Sequence, residues 1–198
     1  MKVVFDSYRI DEEIPVREYL KNKKLHKYFS RETASALVSA GKLLAGMEID
    51  PDTPIYYATG IVEYEDYGLD RIVEVCSDKD KRFSQRLFVE KGLSSISPLT
   101  QFKLLYNMTL CFISIEHNLI GDNAAIYSSA AGLLTQGLYA TGDSQILIGA
   151  GKVYKDGRVE TGFSLITKEE ILHSPYLHST VEAIEIFRDL NYKRSDSE

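Results

Sequence analysis

Two adjacent serines, Ser128 and Ser129, separate the run Ala124-Ala125-Ile126-Tyr127 from a stretch of small and apolar residues that begins at Ala130. A strand turning sharply into a helix sets the residue at the turn beside free backbone N–H groups. A serine held there becomes a nucleophile when an imidazole removes its proton. The histidines are His26, His117, His173 and His178, and no G-x-S-x-G pattern surrounds the serines. The alternative use of such hydroxyls is to hydrogen-bond the turn itself, and it is the stronger reading here. Cys111 lies between Leu110 and Phe112 in an apolar helical pattern and reads as a core thiol. Cys76 ends an amphipathic segment with no histidine nearby in sequence. Two cysteines form neither metal-ligand spacing nor a disulfide framework, so no metal and no cofactor is expected.

The elements that position these residues follow from periodicity. A short strand is expected at Val3-Val4-Phe5. Ser30-Arg31-Glu32-Thr33 resembles a helix start, continued by Ala34, Leu37, Val38, Leu43 and Leu44 at helical spacing. The runs 54–60 and 145–151 are compact, apolar and Gly-ended, which suits buried strands. Helical patterns are expected over 66–75 and 85–91, and a long one from Pro98 through Phe102, Leu105, Met108, Leu110, Phe112 and Ile115. Residues 124–128 make the next strand, followed by a segment at 130–140 that is apolar on every side. Lys155-Asp156-Gly157-Arg158 reads as a hairpin turn into a strand at 159–166. A last amphipathic helix carries Val181, Ile184, Ile186, Phe187 and Leu190. Alternating strands and helices indicate an α/β fold with helices on both faces of the sheet.

Three pieces of the chain resemble the N-terminal half of the β-ketoacyl synthases, in the thiolase-like superfamily. They are Ile96-Ser97-Pro98, Asn107-Met108 and Leu119-Ile120-Gly121-Asp122-Asn123, in order and at the family's spacing. Ser144 to Gly151 resembles the family's next strand. The resemblance implies a thiolase-like half-fold with a five-stranded mixed sheet, a single domain over residues 1–192 and a polar tail at 193–198.

The departures from the family decide the expected function. The family's nucleophilic cysteine falls here on Ala130, so the position is vestigial and carries no thiol. The histidines that assist decarboxylation and stabilise the oxyanion belong to a second half not found in this chain. The resemblance therefore implies a non-catalytic subunit like a chain-length factor, paired with a complete synthase in fatty-acid-like, aryl-polyene or polyketide biosynthesis. It places the interface or acyl tunnel at Tyr106, Met108, Phe112, Ile126 and Tyr127. Ser128 and Ser129 stay as weak catalytic candidates for a small thioesterase or acyltransferase, and a homodimeric acyl-binding module is the third alternative. The apolar segment after Ala130 is expected to need cover, either from a partner chain or from residues beyond Val159.

Composition limits the partners. The net charge of −6 over 198 residues argues against a general nucleic-acid binder. The one basic cluster, Lys21, Lys23, Lys24 and Lys27, reads as a solvated segment or a contact with an acidic partner. No apolar run is long enough to span a membrane, and the charged N-terminus lacks a signal-peptide pattern. A cytoplasmic protein is expected, partnered by a synthase or by itself, and in some settings by an acyl carrier protein.

Overall fold

The computed structural model describes residues 2–60, 69–95, 99, 102–103, 105–142 and 145–195. Five strands form one mixed sheet: β1 (Val3–Tyr8), β2 (Ile55–Thr59), β3 (Asn123–Tyr127), β4 (Ile146–Val153) and β5 (Val159–Ile166). Their spatial order is β1-β5-β4-β2-β3. β2 runs parallel to both β3 and β4, whereas β5 is antiparallel to β4 and to β1. Every residue of β2, β4 and β5 is buried, as unbroken apolar runs covered on both faces require. The expected α/β class and five-stranded mixed sheet are present.

Side-chain alternation sends odd and even positions of the central strands into two separate cores. On one face Ile55, Tyr57, Leu147, Phe163 and Leu165 pack under α1 (Arg31–Leu44) and the helix Asn107–His117. On the other, Tyr56, Ala58, Ile146, Ile148 and Ala150 meet the helix Ala130–Leu138 and the C-terminal helix Ile184–Ser195. α1 begins where the sequence indicates, with the Ser30 hydroxyl accepting from the Thr33 N–H at 3.1 Å.

Four expectations need adjustment. The helical pattern projected from Pro98 to Ile115 is interrupted: Leu105 is not helical, and a continuous helix starts only at Asn107. Phe102 instead meets Tyr28 edge-on, so its apolar character serves a local contact rather than the stripe of one long helix. Pro98 itself, and the Ile96-Ser97-Pro98 piece, lie outside the described residues, as does the start of the helix expected over 66–75, which is seen as Leu69–Cys76. The region 85–95 is helical as two short α pieces, Gln85–Leu87 and Leu93–Ser95, on either side of a π-helical turn, Phe88–Gly92. The C-terminal helix continues to Ser195, into the stretch expected to be a polar tail, and Val181 precedes it rather than riding on it.

Candidate functional site

Asn107–His117 descends onto β3 through a tight loop. Asn118 adopts a left-handed conformation, φ 55°, and its N–H donates to Ser114 O. The loop then presses against the chain ahead of β2: the N–H groups of Ile120 and Gly121 both donate to Pro51 O, at 2.8 and 3.2 Å. A side chain at Gly121 would overlap the Asp52 backbone, which gives the glycine of Leu119-Ile120-Gly121-Asp122-Asn123 a physical reason. Asp122 accepts from the Tyr56 hydroxyl at 2.5 Å. Burial raises the Tyr56 phenol first and this carboxylate raises it further, so Tyr56 remains a neutral donor.

β3 leads directly into the elbow. Ser129 caps the helix Ala130–Leu138, its hydroxyl accepting from the Gly132 N–H at 3.3 Å. The Ser128 hydroxyl donates to Ser129 O at 3.0 Å. Among the described residues none of the four histidines hydrogen-bonds to either serine, so no base is positioned to activate them. Ala130 is fully buried.

The N-terminus of that helix is closed by the chain's own C-terminal region. The Ala130 N–H donates to Val181 O at 2.8 Å and the Ala131 N–H to Ser179 O at 3.0 Å. Ser129 also forms an isolated antiparallel bridge with Glu182, and Glu182 is ion-paired with Lys152 at the end of β4. The two N–H groups that would serve an oxyanion are therefore already bonded to peptide carbonyls. Nothing in the local sequence around Ser179 signals this closure, because it joins positions about fifty residues apart.

The same region also covers the apolar helix. Ala130, Leu133, Leu134 and Gly137 are buried, and Ile171 and Phe187 share their core. Only Tyr139, just past the helix, is an exposed large side chain, at 80%. Residues beyond Val159, one of the two covers considered from sequence, pack over this helix.

The five residues assigned to an interface or acyl tunnel differ in their surroundings. Phe112 is buried in the core, with its ring 4.7 Å from that of Phe29 in an edge-on contact. Met108 is partly buried against the same core. Ile126 is partly buried against the opposite core. Tyr106 and Tyr127 are exposed, at 56% and 66%. Cys76 is fully buried, whereas Cys111, expected as a core thiol, is only partly buried. On its helix Leu110, Phe112 and Ile113 are the buried apolar neighbours.

Sequence reasoning missed a buried polar ladder beneath α1. Glu32 accepts from the Tyr57 hydroxyl at 2.8 Å and from Thr59 at 3.2 Å. Ser35 and Ser39 both hydrogen-bond Thr161, and Ser39 also donates to Asp6 at 2.7 Å. Burial pushes the Glu32 carboxyl up, a trend the two hydroxyl donors oppose. The serines at positions 35 and 39, one helical turn apart on an otherwise apolar helix, were the available signal. His117 is a partly buried titratable group: burial, then the nearby Lys21 ammonium, lowers it to about 4.

No protein-family model matches the chain, and no curated protein matches it. Among solved structures it is similar to a chain of "AntDE:AntF (apo): type II PKS acyl-carrier protein in complex with its ketosynthase bound to the hexaketide". The identity is 9%, the TM-score 0.48, and the match covers 82% of this chain and 53% of that one. The chain thus spans about half the length of the structure it matches.

Proposed function

We propose that this chain is a non-catalytic β-ketoacyl-synthase-like subunit, of the chain-length-factor kind, formed by one domain over residues 1–192. It pairs through β3 with a complete synthase that acts on carrier-bound acyl chains in fatty-acid-like, aryl-polyene or polyketide assembly, in the cytoplasm. The observation that carries the reading is the elbow. Ala130 stands where the resembled family has its thiol, and the N–H groups beside it are bonded to Ser179 and Val181 carbonyls. A subunit with that elbow contributes surface rather than chemistry.

The position of β3 supports the pairing. It is the last strand of the sheet, and among the described residues nothing pairs with its outer edge. An open strand edge is a template for another chain. The consecutive elements at this edge also carry exposed large apolar residues: Ile115 on the helix before it, Ile120 in the loop and Tyr127 at its end. Such a grouping marks an association surface, and an obligate interface buries more than about 2,000 Å².

Light scattering of the chain, alone and mixed with a synthase encoded beside it, tests the proposal. A one-to-one complex is expected, and Tyr127→Asp should weaken it by at least about tenfold, or 1.4 kcal/mol. Ile126→Asp should weaken it more, through a buried unpaired charge, but Ile126 also touches the core, so Tyr127→Asp is the cleaner variant. A monomer in both samples would overturn the pairing. A homodimer indifferent to the synthase would replace it with a stand-alone acyl-binding module.

A further inference from the structure

The short helical turn Lys23–Tyr28 carries a charge that the fold does not use. From Arg17 to Lys27 the chain holds five cations against the single carboxylate of Glu18, in a protein of net charge −6. Two of the five are engaged: Lys21 donates to Glu116 O, and Arg17 to the His26 ring at 2.7 Å. Lys23, Lys24 and Lys27 are exposed, and among the described residues none of them forms an ion pair. The Lys27 ammonium lies 5.0 Å from the centre of the Tyr28 ring, and that ring meets Phe102 edge-on with centroids 5.3 Å apart. Phe102 is 40% exposed and Leu105 is 53% exposed. Lys103 follows Phe102 in the chain. Lysines therefore border a patch of exposed aromatic and aliphatic surface.

We propose that this face docks peripherally on an anionic lipid surface. The composition of the patch selects that partner. Specific protein interfaces enrich arginine and deplete lysine, because the planar guanidinium makes fixed bidentate contacts. Three unpaired lysines on flexible stems suit a diffuse layer of phosphates instead, with each ammonium adding an independent increment of attraction. Phe102 and Leu105 supply the apolar groups that enter the headgroup region, and a tyrosine ring is at home there. No helix among the described residues is long and apolar enough to cross a membrane, so the contact proposed is one of surface adsorption.

Co-sedimentation of the full chain with vesicles tests this. The vesicles are phosphatidylcholine alone, or phosphatidylcholine with about 30 mol% phosphatidylglycerol, at about 0.1 M and about 0.5 M salt. The chain should partition onto the anionic vesicles only, and release at the higher salt. K23E/K24E/K27E should lower the partition coefficient by at least about a hundredfold, since each lost lysine removes roughly fivefold and each added carboxylate is repelled. All three positions are exposed, so an unchanged circular dichroism spectrum is expected of the variant. Phe102→Ser should lower partitioning several-fold at constant salt dependence. Equal binding to both vesicle types, or a triple variant that binds like the wild type, would overturn the proposal. So would displacement of the protein from vesicles by a single-stranded oligonucleotide at matched charge, which would assign the face to nucleic acid.

Discussion

The helices Arg31–Leu44 and Ala130–Leu138 cover opposite faces of one sheet, and each begins at a serine that accepts a hydrogen bond from the third residue on. Beyond the cap they diverge. The first carries in its opening turn a buried carboxyl that accepts from Tyr57 and Thr59, and it sets the Ser35 and Ser39 hydroxyls against Thr161. The second presents alanine and leucine to the sheet, and its first N–H groups are bonded to carbonyls from the far end of the chain. One helix start keeps polar groups inside the protein, and the other is sealed by backbone. The difference shows that a serine-capped helix start is no evidence of chemistry. What matters is whether its donors are left open, and at the elbow of this chain they are not.

The contrast can be broken most forcefully at Gly151. A side chain there would overlap the Tyr57 hydroxyl and the Glu32 carboxyl. Gly151→Val should destabilise the protein by about 3 kcal/mol or more, read by urea unfolding, because neither neighbour has room to move. Its counterpart in the second helix is Gly132, where the added atom would meet chiefly the Ser128 hydroxyl, with the Ser128 Cβ 3.1 Å away. Gly132→Ala should change stability by less than about 1 kcal/mol, since Ser128 can rotate and alanine favours the helix. Equal losses at the two sites would remove the distinction.

Glu32 sharpens the comparison next. Glu32→Leu leaves the Tyr57 and Thr59 hydroxyls without their acceptor and should cost about 2–3 kcal/mol. Glu32→Gln keeps an acceptor but cannot ionise. The folded-state pKa of Glu32 is raised, so its stabilising contribution is complete below the ordinary carboxylate range and is lost as pH rises through the raised value. The wild type should therefore lose stability relative to Glu32→Gln on going from pH 5 to pH 8. A constant difference across that range would mean the carboxyl is not perturbed by burial.

A smaller loss than at Gly151 or Glu32 is expected on the sealing segment. Lys152 is 10% exposed and Glu182 36% exposed in their ion pair. Glu182→Ala should cost about 1–2 kcal/mol, because the lysine is the more buried partner. Hydrogen exchange at Ala130 and Ala131 should accelerate in that variant, since their acceptors, Val181 and Ser179, flank the lost contact. Unchanged protection there would show that the segment is held by its apolar contacts alone.

Much of the fold was legible from sequence. The all-apolar runs at 54–60 and 145–151, the caps at Ser30 and the turn at Asp156-Gly157 each specify a local structure by residue type. The elbow at Ser128-Ser129 was legible as a turn for the same reason. Its closure was not, because backbone carbonyls carry no sequence signature and the Val181 carbonyl that meets the Ala130 N–H comes from a distant part of the chain. The contact of the Phe112 ring with Phe29 was not legible either, because the two residues are distant in sequence. The polar ladder escaped notice because serine and threonine on a helix read equally as solvent-facing residues.

Chemical silence at the elbow is the central claim, and one labelling experiment addresses it directly. The wild-type chain is incubated with a fluorophosphonate and the Ala130→Cys variant with iodoacetamide, and both are followed by intact mass. The account predicts no phosphonate adduct, because among the described residues no histidine hydrogen-bonds Ser128 or Ser129 and the adjacent donors are occupied. It also predicts slow alkylation at position 130 compared with the half-exposed Cys111, because that position is fully buried. A stoichiometric adduct mapped to Ser128 or Ser129, or a rapidly alkylated thiol at position 130, would contradict it.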